Sequence, residues 1–125
     1  MIRYTLIGLV FTLVMLTSSI AQSQTVAIDY IDNVAPIFVE QCQSCHREGG
    51  IAPFAMSNYQ VVQGFAPVIK QAILSKKMPP GQIDRKYAKD IVNHRTLTDL
   101  EMDTIVAWID AGAPVDSDRD PLTET

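Results

Sequence analysis

Two thiols and an imidazole stand together in Cys42-Gln43-Ser44-Cys45-His46, and these are the only two cysteines of the 125-residue chain. At this spacing each sulfur can add to one vinyl group of a porphyrin, because two intervening residues let both thiols reach from a single helical turn. The next residue is then carried under the macrocycle, where a ring nitrogen can bind iron. The stretch reads as the attachment site of one covalently bound haem c, with Cys42 and Cys45 as thioether tethers and His46 as the proximal ligand.

Rival chemistry at the same residues has less to stand on. A thioredoxin-like redox centre needs a βαβ context, and no strand period flanks this motif. Four-coordinate zinc would need further donors, and outside the leader only His94 and methionine thioethers remain, the latter poor zinc ligands. A disulfide between Cys42 and Cys45 closes so short a loop that it restrains the unfolded chain only weakly.

The sixth position of a haem iron separates electron transfer from ligand chemistry. Met56, Met78, Met102 and His94 are the side chains available. Met102 falls on the apolar stripe of a helix and reads as core. Met56 follows His46 too closely for the chain to wall off a haem edge and cross to its far face. Met78 precedes two prolines, sits outside a helix and follows enough chain to wrap a porphyrin. It is the expected distal ligand, with His94 as the alternative, and bis-His ligation would lower the potential relative to His/Met.

The elements that must position these residues begin with a leader. Met1-Ile2-Arg3-Tyr4 is a short basic start, and Thr5 to Ile20 is an apolar run closed by small residues. That is the anatomy of a secretory signal peptide cut after Ala21, with an uncleaved N-terminal anchor as the other outcome. Covalent haem c is generally assembled on the outer side of a bacterial inner membrane, so leader and motif agree on a periplasmic location. The expected division is residues 1–21 as signal peptide, 22–115 as the haem domain, and 116–125 as a polar, mobile tail.

The formal charge is −4, and loss of Arg3 with the leader makes it more negative. Such a balance argues against nucleic acid and anionic membranes as partners. Redox partner proteins meeting it through a basic docking face would suit it. What remains after cleavage is one small domain, whose apo form is expected to fold poorly because haem would supply much of the apolar contact.

Hydrophobic spacing predicts a first helix over residues 26–41, with Pro36 in its first turn. Gly49, Gly50 and Pro53 mark a loop, and the Pro53 carbonyl is a candidate acceptor for the Nδ1 hydrogen of His46. Two helices follow, residues 58–64 capped by Ser57 and residues 66–76 with Pro67 in the first turn. Met78-Pro79-Pro80-Gly81 stops helical structure. Residues 82–95 read as irregular, with a short turn near Tyr87 to Ile91. Thr98-Asp99-Leu100-Glu101 is a capping box, Leu97 and Met102 form a hydrophobic staple, and Gly112 with Pro114 ends the last helix. No strand period appears, so the expected class is all-α.

On these residues the chain resembles the class I c-type cytochromes, in particular the small single-haem bacterial members. Cys42-Gln43-Ser44-Cys45-His46 on an N-terminal helix, Met78-Pro79-Pro80 downstream and a C-terminal helix bearing Trp108 follow that family's order. The resemblance implies a cytochrome c-like fold whose first and last helices cross, with Phe38 and Trp108 packed at the crossing. Val34 stands where small bacterial members carry glycine, with Ala35 beside it. A narrower stretch is similar to haem domains found upstream of copper monooxygenase-like domains, through Gly50-Ile51-Ala52-Pro53-Phe54, Met78-Pro79-Pro80 and Trp108-Ile109-Asp110-Ala111-Gly112-Ala113-Pro114. Gly81 replaces the tryptophan of that pattern, and the likeness points to lineage rather than to a copper reaction.

The expected function is an electron carrier and not an enzyme, moving one electron between partners. Two alternatives remain open. One is a haem enzyme or gas sensor with an open distal site; the other is a haem subunit of a larger oxidoreductase.

Overall fold

Pro36 shapes the entry to the fold. It cannot donate a hydrogen bond to the Asp32 carbonyl, and its ring crowds that oxygen. The turn ahead of it widens accordingly: Tyr30–Val34 is π-helical, closed by Ala35 N–H donating to Tyr30 O, and α1 (Ala35–Gln41) continues from it with Pro36 in the first turn. Asp29 caps the start by accepting from Asp32 N–H, while Asn33 Oδ1 accepts from Asp29 N–H. A computed structural model describes residues 28–83, 85–88, 90–92 and 95–124, so the leader, the expected helix start at Val26 and His94 lie outside the described residues.

The other elements are α2 (Tyr59–Leu74), a short α3 (Arg85–Ala88), α4 (Asp99–Asp110) and a closing 3-10 turn, Pro121–Thr123. The described residues are helical with no strand, in keeping with the all-α expectation. Among them no helix is long and apolar enough to cross a membrane.

The two helices expected over 58–76 are one. Asn58, not Ser57, is the cap, accepting from Val61 N–H, and Pro67 lies inside the helix. Tyr59, Val62, Ala66, Ile69 and Ile73 form a continuous buried stripe along it. Burial contributes about 1.5–3 kcal/mol for each large aliphatic side chain. The summed stripe outweighs the roughly 3 kcal/mol that an interior proline costs.

Helix α4 begins as its sequence predicts. Thr98 Oγ1 accepts from Glu101 N–H, and Glu101 Oε2 accepts from Thr98 N–H, so the capping box is complete. At its end Gly112 takes φ +94°, Gly112 N–H donates to Ile109 O, and Ala113 N–H to Trp108 O. This left-handed exit is open to glycine at little steric cost.

Aromatic rings join the ends of the chain. Trp108 stacks on Tyr30 with centroids 5.4 Å apart and meets Phe38 edge-on at 6.2 Å and Tyr59 edge-on at 6.4 Å. Val34, Ala35 and Phe38 are fully buried in the same cluster. The Trp108 indole N–H is satisfied by the Pro114 carbonyl at 2.8 Å.

The tail expected to be polar and mobile is docked instead. Leu122 is 2 % exposed and belongs to the core. Asp120 accepts from the Tyr30 hydroxyl at 3.0 Å and from the backbone N–H groups of Tyr59 and Leu122. Burial first, and then this carboxylate, push the Tyr30 phenol above the usual tyrosine range. Asp120→Ala is therefore expected to destabilise the protein by about 2–3 kcal/mol, because it strands buried donors. Urea unfolding checks this, and an unchanged midpoint would show that the tail adds nothing.

Candidate functional site

Helix α1 does not stop at Gln41 so much as tighten. Cys42 and Gln43 N–H both donate to Phe38 O, and then Cys45 N–H (3.1 Å) and His46 N–H (3.0 Å) both donate to Cys42 O. This extra turn brings Cys42, Cys45 and His46 to the wall of one cavity. Gln43 points the other way and is buried, its Nε2 donating to Met56 O at 2.9 Å and Leu122 O at 2.8 Å.

The loop after His46 is sewn to the same turn. Ala52 N–H donates to Cys45 O, Met56 N–H to His46 O at 2.7 Å, and Gly50 N–H to Arg47 O. Gly50 is required here: a Cβ on it would lie 2.3 Å from the Cys45 carbonyl oxygen. The outcome is a fixed acceptor for the imidazole, His46 Nδ1 lying 3.0 Å from the Phe54 carbonyl oxygen. The expected acceptor, Pro53, is corrected by one residue, because the paired bonds at Ala52 and Met56 set the loop's register. A carbonyl can only accept, so Nδ1 carries the hydrogen, and in the neutral ring Nε2 then keeps its lone pair. The Phe54 ring also meets the imidazole edge-on at 4.8 Å.

The cavity has a volume of about 420 Å³ and an apolar lining. Ile51, Pro53, Phe54 and Met56 contribute from the loop, and Val68, Ile69, Ala72 and Ile73 from α2. Met78, Pro79, Pro80, Arg95 and Leu97 complete it. A neighbouring, more polar cavity of about 550 Å³ shares Ile73 and Leu97 and takes Met102 into its wall instead.

Met78 is held by the end of α2. Lys76 turns left-handed at φ +58° and donates N–H to Ile73 O, while Lys77 and Met78 N–H both reach Ala72 O at 2.9 and 3.1 Å. The double prolines then carry the chain away without helical hydrogen bonds. Met78 is half-buried, whereas Met56 is buried in the core and joined through its backbone to His46. Of the four side chains considered for a sixth ligand, two line the cavity, Met102 lies next door, and His94 is outside the described residues.

Both cysteines are free thiols. Burial, with smaller contributions from Cys45 and Glu101, pushes the Cys42 thiol up to about 12. That is the reverse of the lowered pKa of a Cys-x-x-Cys redox nucleophile. Arg95 reaches across the cavity's edge, its guanidinium donating to Ser44 Oγ and lying 3.5 Å from Cys45 Sγ. Among the described residues no group of three or more His, Cys, Asp or Glu side chains is arranged to hold a metal ion.

Sequence reasoning missed Gln43, Arg95 and Asp120. A buried glutamine between two motif residues carries no periodic signal, but the lone Leu122 in a polar tail, preceded by an Asp-Pro pair, was a readable hint of docking. Compared with protein-family models, with curated proteins and with solved structures, the chain finds no match.

Proposed function

We propose that this chain is an exported single-haem c-type cytochrome that carries one electron between redox proteins, built on a cytochrome c-like fold. The observation that carries the reading is the convergence of Cys42, Cys45, His46 and Met78 on one apolar cavity. Its volume lies within the roughly 300–1,000 Å³ typical of small-molecule and cofactor sites. The packing of Phe38 and Val34 against Trp108 and its neighbours supports the family's pairing of first and last helices.

Haem c, when bound, supplies a one-electron iron couple. The chain's own residues do the rest. Cys42 and Cys45 would tether the group through thioethers. His46, its ring held by the Phe54 carbonyl, would offer Nε2 to the iron. Met78 would offer its thioether in preference to Met56, which is tied to His46's own loop. The aliphatic walls would give a bound haem an apolar surround.

Whole-protein mass spectrometry of periplasmic material tests the reading. The expected mass is that of the chain cut after Ala21 plus one haem, and a mass without haem overturns it. Spectra of the reduced protein with carbon monoxide test the carrier role. No rapid binding is expected without denaturant, and rapid binding would point to a gas-binding or catalytic haem.

A further inference from the structure

Two residues separate the paired thiols, and they face opposite ways. Ser44 is exposed and takes the Arg95 guanidinium, while Gln43 is 9 % exposed and turned into the protein. A buried amide needs its partners inside. Gln43 Nε2 donates to the Met56 carbonyl on one side and, on the other, to the carbonyl of Leu122, 79 residues further along the chain.

Both acceptors belong to segments with moorings of their own. Leu122 lies in the turn Pro121–Thr123, where its side chain is buried in the core. Asp120, which caps that turn, is held by the Tyr30 hydroxyl and the Tyr59 N–H. Met56 closes the loop after His46: Ala52 N–H donates to Cys45 O at one end, and Met56 N–H to His46 O at the other. Between those ends the Phe54 carbonyl meets His46 Nδ1 at 3.0 Å. The carbonyl that orients the imidazole thus stands on a short span whose far end is gripped by the Gln43 amide as well as by backbone.

We infer that Gln43 is a positioning residue for His46, through which the docked C-terminal turn sets how firmly the Phe54 carbonyl holds the imidazole. The inference rests on the cytochrome reading above and deepens it, giving the tail a part in tuning the iron. Without the amide, the Met56 and Leu122 carbonyls lose a donor in a buried place. A buried carbonyl so deprived moves, or admits water, to recover one. Any shift of Met56 carries Phe54 O with it, since only Ala55 lies between them. A weaker bond at Nδ1 makes the ring a less basic ligand, which favours the reduced iron.

The haem-loaded full chain tests this. Gln43→Leu removes the amide at similar volume, and Asp120→Ala unties the turn without touching the loop. Ile105→Val is the control, since it trims the core inside α4 and lowers stability through packing alone. In the reduced, diamagnetic protein the His46 Nδ1–H resonance reports exchange with water. Exchange should quicken about tenfold or more in Gln43→Leu and by a smaller factor in Asp120→Ala, and stay as it was in Ile105→Val. The ratio of reduced to oxidised protein at a fixed applied potential should rise about threefold in Gln43→Leu, a shift of about 30 mV at 59 mV per tenfold. The combined variant Gln43→Leu, Asp120→Ala should match Gln43→Leu alone, because the tail acts through the amide.

Unchanged exchange and potential in Gln43→Leu overturn the inference, as does an equal change in Ile105→Val, or effects of the two substitutions that simply add. Should Gln43→Leu yield no loaded protein, Asp120→Ala decides: changes beyond those of Ile105→Val support the coupling, and their absence overturns it. The two ideas fail separately. A parent chain without covalent haem overturns the cytochrome reading, whereas a haem-loaded chain whose Nδ1–H is indifferent to Gln43 and the tail overturns only the coupling.

Discussion

Met78→Ala in the haem-loaded protein is expected to erase the sulfur-to-iron absorption band near the red edge of the oxidised spectrum. The reduction potential should fall by on the order of 100 mV, a modest share of the ~0.8 V over which axial ligands tune haem iron. A thioether favours the reduced iron, and losing it leaves water or no ligand in its place. The reduced variant should also bind carbon monoxide rapidly, which the parent should not. The fold should survive the change, because Met78 is half-buried and the backbone bonds from Lys77 and Met78 to Ala72 O do not depend on the side chain. Met56→Ala is the informative partner variant: its band should persist, and if it vanishes there and not in Met78→Ala, the two methionines exchange roles.

Removing both proposed tethers is expected to have the largest effect. The double variant Cys42→Ala, Cys45→Ala should carry no covalent haem, so its mass should lack one haem group. It should also unfold without a sharp transition. Without haem the aliphatic walls of the cavity of about 420 Å³ would stay open to water, each Å² of apolar surface left uncovered forfeiting roughly 25 cal/mol. A typical small domain has only about 5–15 kcal/mol of stability to lose. Calorimetry of the variant checks this, and a cooperative transition like that of the haem-loaded parent would show that the core stands without the group.

The sequence made some of this legible for physical reasons that can be named. The capping box at Thr98 and Glu101, the left-handed exit at Gly112 and the stop before Pro79 are local, and each rests on two or three residues close in the chain. The thiols and imidazole of residues 42–46 are local too, which is why their common direction could be read in advance. The pairing of Phe38 with Trp108 entered through family likeness rather than periodicity. What escaped was long-range or competitive. Pro67 looked like a boundary until the buried stripe from Tyr59 to Ile73 outweighed it, and Pro36 changed the turn before it rather than simply opening a helix. The tail looked free because its acidic residues outnumber its apolar ones, yet Leu122 and Asp120 find partners more than sixty residues away at Gln43, Tyr59 and Tyr30.

The buried amide of Gln43 has a consequence in time. In synthesis from the N-terminus, residues 42–46 emerge well before residues 120–124. Until the Leu122 carbonyl arrives, the bond from Gln43 Nε2 to it cannot form, and the turn that carries both thiols is held less firmly. Residues 120–124 therefore close a latch behind the turn that carries Cys42 and Cys45.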